Sequence, residues 1–287
     1  MYPDDAAERH ELISNADTAL HRAMNEGCNT YQFYKPSLRP ALRDRHFLET
    51  ELRLALGRGV FRLVYQPIKK IRTDMCTGFE VLLRWSHPTR GEISPAEFIP
   101  LAEDTGVILP LGEWVLREAC REAASWAEPL IVAVNVSAVQ LHHPSFATTV
   151  HEILFSTGLA ASRLVLEVTE TALVRDMNLA LTMLRRIKML GVRFAMDDFG
   201  TGYSSLSNLR AFPFDKIKID KSFVKSVDVN NQGAAIVRSV LGLGHALNLT
   251  VVAEGVETPA ELAFLQAEAG DEAQGFLIGI PKEIETA

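Results

Sequence analysis

The sequence predicts an α/β protein folded as a TIM-like (β/α)8 barrel, with a first strand that runs antiparallel to its neighbour. Three observations carry that expectation. Eight short apolar runs recur between Phe61 and Leu277, helical stretches separate most of them, and polar residues, chiefly acids, interrupt the runs near their C-terminal ends. The chain has 287 residues, 47% apolar and 23% charged, which is enough for one large domain plus an appendage.

The chain opens on a stretch, Leu12 to Asn25, that places Leu12, Ala16, Ala19, Leu20 and Ala23 on one helical face before Gly27. Thr30 to Tyr34 then reads as a short strand. Pro36 and Pro40 interrupt the pattern, and a second helix runs through Phe47, Glu51, Leu52 and Ala55 to Gly57. One helix and one strand cannot enclose a core. Residues 1–40 are therefore expected to be the remnant of a preceding domain plus linker, and residues 41–287 the barrel.

From there strand-like runs fall at Phe61–Pro67, Thr77–Trp85, Leu130–Val136, Arg163–Val168, Val192–Met196, Phe214–Ile219, Leu249–Ala253 and Ala273–Leu277. Helical stretches fall at Pro95–Asp104, Gly112–Trp126, Pro144–Thr157, Asp176–Leu190, Gln232–Leu247 and Pro259–Ala267. The link from Lys69 to Cys76 has no room for a crossover helix, so the first two strands are expected to be antiparallel. Gly242 and Gly244 lie inside a helical stretch and read as a close-packing site.

Bulk properties exclude several functions. The net charge is −7 and no basic stripe appears, which argues against gripping long nucleic acid. A small phosphorylated ligand remains compatible, because arginines and metal ions can offset its charge. No apolar run approaches the roughly 20 residues of a membrane helix, so this segment is expected to make no membrane contact. Cys28, Cys76 and Cys120 are scattered, suit a reducing compartment and lack metal-ligand spacing; a cytoplasmic location is expected.

The chemistry is carried by polar residues at the strand ends. Glu80, Asn135, Glu167, Glu170, Asp197, Asp198, Lys218, Glu254 and Gln274 each interrupt or close an apolar run. One acid at a strand end is commonly a helix cap. Here nearly every strand delivers one polar group, and in a barrel those positions converge on the mouth that houses active sites. Glu80, Glu167, Asp197, Asp198 and Glu254 bring five negative charges and Lys218 returns one, leaving four. Carboxylates so clustered must protonate or share cations. All-oxygen donors without histidine or thiolate point to two hard divalent ions, Mg²⁺ or Mn²⁺. A pair of such ions suits in-line attack on a phosphodiester, and the adjacent Asp197-Asp198 suits the pair.

These segments also resemble a known family. Tyr65-Gln-Pro-Ile68, Glu80-Val-Leu-Leu-Arg-Trp85, Asn135-Val-Ser137, Glu167-Val-Thr-Glu170, Asp197-Asp-Phe-Gly-Thr-Gly-Tyr-Ser-Ser-Leu206, Lys218-Ile-Asp220, Ala253-Glu-Gly-Val-Glu257 and Gln274-Gly-Phe276 are similar to the EAL-domain phosphodiesterases, in the expected order from about residue 45 to 285. The resemblance implies hydrolysis of cyclic di-GMP to linear pGpG in bacterial signalling. It implies Glu80, Asn135, Glu167 and Asp197 as ligands of one ion, with Asp197 and Asp198 serving the second. Glu254 and Gln274 would sit beside that second ion. Lys218 would orient or help deprotonate the attacking water, and Gln66 and Arg84, with Gln274, would face the ligand. Glu170 would pin the loop from Phe199 to Ser205, and the helix Asp176–Leu190 would join a homodimer interface. The signature departs from the family in reading Glu-Val-Leu instead of Glu-Ala-Leu, a change at Val81 that strand propensity tolerates. The N-terminal piece resembles the end of a GGDEF domain without its catalytic half, so no cyclase activity is expected of this chain. The competing expectation is a non-hydrolysing cyclic di-GMP receptor; such a site has no need to keep Asp197, Asp198 and Lys218 together.

Overall fold

Side chains alternate between the two faces of a strand, so a barrel strand sends every second residue inward and the others beneath the surrounding helices. The computed structural model describes residues 8–25, 30–34, 38–174, 176–200, 209 and 211–284. Two helices, α1 (Arg9–Asn25) and α2 (Leu38–Arg58), precede the strands β1 (Phe61–Lys70), β2 (Cys76–His87) and β3 (Gly91–Ile93). There follow α3 (Pro95–Thr105), α4 (Ile108–Ser125), β4 (Ile131–Asn135), α5 (Ala138–Leu141), α6 (Phe146–Thr157), β5 (Leu164–Thr169), α7 (Glu170–Val174), α8 (Met177–Lys188) and β6 (Arg193–Phe199). The described remainder comprises β7 (Lys216–Ile219), α9 (Lys221–Val224), α10 (Asn231–Ala246), β8 (Thr250–Ala253), α11 (Pro259–Ala267) and β9 (Glu272–Ala273).

The sheet runs β1-β9-β8-β7-β6-β5-β4-β2 and closes through β1–β2, with β3 folded back on β2. Seven of the eight expected runs are barrel strands, while the eighth, Ala273–Leu277, meets the observed β9 only at Ala273. β1 is antiparallel to both neighbours, β2 and β9, while β2, β4, β5, β6, β7, β8 and β9 pair in parallel. Inside the barrel, Ile68, Ala133, Val165, Ala195 and Val252 form a small apolar layer. Residues of the other parity, such as Val134, Leu166, Met196 and Ile217, join the larger core under the helices. Val81 belongs to that outer core and is 3% exposed. The departure from the family signature thus packs in the core under the helices and borders the cavity lined by Arg84 and Asn135.

Several local expectations need correction. Thr30–Tyr34 forms no strand and pairs with none among the described residues, and without a partner edge there is no ladder. α2 begins at Leu38, not after Pro40: a proline in the first helical turn gives up an N–H that has no intrahelical partner. α2 is part of the barrel body, since Leu48, Leu52 and Ala55 pack with Phe61, Trp85, Phe98 and Leu111 in a second apolar cluster. The last strand ends at Ala273 and does not reach Leu277. Gly275 at φ +154° lets the chain pass so near Val256 that a Cβ there would lie 2.2 Å from its carbonyl oxygen. β3 is three residues long, too short for a periodic signal. Of the expected close-packing pair only Gly244 packs closely, a Cβ on it lying 2.3 Å from Val251 Cγ2, whereas a Cβ on Gly242 would meet nothing within 4 Å. Among the described residues no helix is long and apolar enough to cross a membrane.

One helix contact bears directly on the mouth. α5 starts three residues after Asn135 and is fixed by a capping box: Ser137 Oγ accepts from Gln140 N at 3.3 Å, and Gln140 Oε1 accepts from Ser137 N at 3.2 Å. The Gln140 side chain fills the space beside Gly112 of α4, where a Cβ would lie 2.0 Å from Gln140 Nε2. Gly112→Ala gains helix propensity of about 0.5–1 kcal/mol but displaces a buried amide. A net loss of about 1–2 kcal/mol is expected, read as a lower urea midpoint with unchanged slope. An unshifted midpoint would mean that the amide moves aside at no cost.

Candidate active site at the barrel mouth

The apolar layer explains which residues reach the mouth. Two positions from Ile68, Ala133, Val165, Ala195 and Val252, on the same inward face, stand Gln66, Asn135, Glu167, Asp197 and Glu254. Glu80 pairs in register with Gln66 and Ala133. Lys218 pairs with Val252. Strand period therefore delivers one polar side chain from nearly every strand to one end of the barrel.

Asp198 does not fit that period, because a regular strand would point it away from Asp197. The β6–β7 register slips between Met196 and Phe199, and Asp198 adopts φ +53°. An aspartate tolerates this left-handed conformation better than most residues, and such bulges re-aim side chains near active sites. The outcome is that ligand oxygens of Asp197, Asp198 and Glu254 all lie within 4.8 Å of one another.

At the centre stands Lys218, whose side chain is 1% exposed. Its Nζ lies 2.6 Å from Glu167 Oε2 and Glu254 Oε1, and 3.3 Å from Glu80 Oε2 and Asp197 Oδ1. Glu80 is held further: Asn135 Nδ2 donates to its Oε1 at 2.7 Å and Gln274 Nε2 to its Oε2 at 2.6 Å. Gln274 Nε2 also reaches Gln66 Oε1 at 3.0 Å, and Gln66 Nε2 donates to the Gly279 carbonyl at 3.2 Å. Asp198 N donates to Asp197 Oδ1 at 3.0 Å.

Burial and crowding shift these groups in the directions a shared anionic site dictates. Burial, then the Glu80 and Asp197 charges, outweighs Lys218 and pushes the Glu167 carboxyl well above the usual range. Burial, with Asp197 and Glu80, raises Glu254 to about 7. Burial and the Asp197 charge raise Asp198. Glu80 goes the other way: burial works against its charge, but Lys218 and the Gln274 and Asn135 amides prevail and lower it. The four carboxylates around Lys218 overcome its burial and hold it firmly charged.

Eight of the expected residues thus meet: Glu80, Asn135, Glu167, Asp197, Lys218, Glu254, Gln66 and Gln274 are joined by contacts, and Asp198 adjoins them. Arg84 stands apart from this network. Its Nη1 donates to the Leu83 carbonyl at 3.0 Å, and the residue lines an adjoining cavity of about 570 Å³ with Asn135, Thr169, Leu82, Ile99 and Val136. Glu170 is buried at the start of α7. Most of the loop it was expected to pin, residues 201–205, lies outside the described residues. Gln140 and Gly112 were missed, although Ser137-x-x-Gln140 is a readable capping-box signal.

The family model of the EAL domain matches residues 49–281. An uncharacterized signaling protein of Caulobacter vibrioides is 51% identical over 285 residues, covering 99% of this chain and 35% of that protein. The bifunctional diguanylate cyclase/cyclic di-GMP phosphodiesterase MucR of Pseudomonas aeruginosa is 42% identical over 289 residues, 99% of this chain and 42% of its own length. The chain therefore spans well under half of these curated relatives. The solved PaMucR phosphodiesterase in complex with c-di-GMP superposes with a TM-score of 0.80 at 43% identity, over 83% of this chain and 98% of that one.

The raised carboxyls set a pH dependence for the metal-free protein. Glu254 at about 7 when folded, against an ordinary 4.5, binds more protons folded than unfolded between those values. Its stabilising contribution is full below pH 4.5 and is lost as pH rises through 7. In chelator, the urea midpoint is expected to fall between pH 5 and pH 7.5, and added Mn²⁺ to restore it at the higher pH. A midpoint that climbs over that range in chelator would contradict the clustering.

Proposed function

Since the chain belongs to the EAL-domain family, we propose that it hydrolyses cyclic di-GMP to linear pGpG with two divalent cations, Mg²⁺ or Mn²⁺. The observation that carries this reading is the approach of Asp197, Asp198 and Glu254 to within 4.8 Å beside a lysine already saturated with carboxylates. That donor set fits hard cations: every candidate ligand atom is oxygen, and one ammonium leaves the cluster strongly anionic. Glu80, Asn135, Glu167, Asp197 and Asp198 would hold the ions. Bound divalent cations supply Lewis acidity toward the phosphodiester and a more acidic attacking water.

The chain's own groups divide the remaining work. Lys218, held in its ammonium form, would turn a proton toward the attacking water once cations at the mouth draw carboxylates away from it. Glu254 keeps that ammonium aimed at the cluster from 2.6 Å. Gln66 and Gln274 face the ligand, while Gln274 also donates to Glu80 and to Gln66. Arg84 brings positive charge to the wall of the adjoining cavity, whose size, about 570 Å³, suits part of a dinucleotide. The name of the 42% identical relative and the ligand held by its phosphodiesterase structure support the choice of substrate.

The same reading covers the rest of the chain. Residues 1–40 are taken as the end of a GGDEF domain plus linker, supported by a relative that bears both activities in its name and aligns over 99% of this chain. Residues 41–287 are the phosphodiesterase barrel. Homodimerisation through α8 is supported by the exposed Val174, Met177 and Leu179 around its start. A soluble second messenger as substrate supports a cytoplasmic location.

With Mg²⁺ or Mn²⁺ the purified chain is expected to convert cyclic di-GMP to pGpG, followed by chromatography. Glu80→Ala is expected to lose more than about 10²-fold in kcat, since even groups that merely support a metal ligand are worth 10–100-fold. Intact substrate after long incubation across a metal titration would make the domain a receptor instead.

A further inference from the structure

The barrel interior holds a second buried ion pair that the proposed chemistry does not use. Lys216 Nζ donates to Glu272 Oε2, with side chains 9% and 7% exposed. Lys216 is on β7 and Glu272 on β9, and β8 lies between them in the sheet. The pair therefore spans two strands that share no ladder.

The strand at one end of this pair is the shortest in the barrel. β9 has two residues, matched by two register pairs to β1 on one side and two to β8 on the other. It also sits at the seam where parallel pairing gives way to antiparallel pairing. Backbone bonds from Ile71 N to the Asp271 carbonyl, from Gln274 N to the Ala253 carbonyl and from Val256 N to the Gln274 carbonyl tie its flanks to β1 and β8, so β9 reaches β7 through β8 and through this ion pair. Two positions along β7 from Lys216 is Lys218, and two positions on from Glu272 is Gln274. Both reach one atom, Glu80 Oε2, at 3.3 Å and 2.6 Å. Any change in the β7–β9 spacing pulls these two donors apart at the oxygen they share.

We propose that Lys216 and Glu272 are positioning residues: their ion pair fixes the distance between β7 and β9 and thereby seats Lys218 and Gln274 over the Glu80 carboxylate. A buried charge pair is a poor source of stability, because desolvation offsets the attraction, and its best-attested use is to specify registration. Fixing Glu80 this way is the kind of support that a ligand-bearing carboxylate needs to within about half an ångström.

The kinetic readout rests on the phosphodiesterase reading, so the test also measures metal affinity. The double variant Lys216→Met/Glu272→Leu keeps bulk and removes both charges, and such replacements are commonly neutral or stabilising. It is expected to keep the wild-type melting midpoint and the KM for cyclic di-GMP, while kcat and calorimetric Mn²⁺ affinity each fall about 10-fold or more. Glu272→Gln, which retains a hydrogen bond to Lys216, is expected to fall between the two. Wild-type kcat and Mn²⁺ affinity in a folded double variant would overturn the proposal and leave the pair a packing feature. Should the double variant not fold, Glu272→Gln decides alone, a loss in kcat at constant KM supporting the proposal and an unchanged kcat overturning it. Absence of turnover in the unsubstituted chain would sink the substrate assignment only. The pair is then judged on Mn²⁺ affinity, weaker in Glu272→Gln if it positions Glu80 and equal if it does not.

Discussion

Lys218 Nζ sits among carboxylate oxygens from Glu80, Glu167 and Asp197 on three strands and from Glu254 directly after a fourth. An ammonium has three protons to donate and one charge to give, so it cannot satisfy four carboxylates. The upward shifts of Glu167, Glu254 and Asp198 express that shortfall. The mouth tolerates its acids in one of two ways, by taking up protons or by taking up cations. A barrel that spends this much electrostatic free energy at one end holds a place for positive charge.

The fold concentrates the acids by two separate devices. Strand alternation brings one inward residue per strand to the mouth, above the layer of Ile68, Ala133, Val165, Ala195 and Val252. A bulge then adds Asp198, which alternation would have turned away. The amides fix what the charges would otherwise scatter. Asn135 and Gln274 hold Glu80, with Gln66 accepting from Gln274, and the Glu80 carboxyl is lowered. The capping box after Asn135 and the clearance at Gly112 anchor the strand end that carries one of these amides.

Period and chemistry made the strands and the site legible in the sequence. Apolar runs located seven of the eight barrel strands and touched the last only at Ala273, and the short Lys69–Cys76 link predicted the antiparallel β1. Polar residues at apolar strand ends pointed to the groups that the structure gathers around Lys218. What stayed hidden depends on contacts distant in sequence or on single backbone angles. The bulge at Asp198 has no signature in a strand-like run. β9 stops at Ala273 because the chain must pass Val256 at Gly275, a constraint set 19 residues upstream. Thr30–Tyr34 has strand-like residues but no edge to pair with among the described residues. The Lys216–Glu272 pair was equally invisible, since it joins strands separated by a third.

The most direct test of the account is an equilibrium Mn²⁺ titration of the metal-free chain, following free ion by electron paramagnetic resonance, beside Asp198→Ala. Saturable uptake approaching two ions per chain, reduced by the substitution, is the result that a charge deficit at the mouth predicts. No saturable uptake, or uptake indifferent to the loss of Asp198, would contradict it.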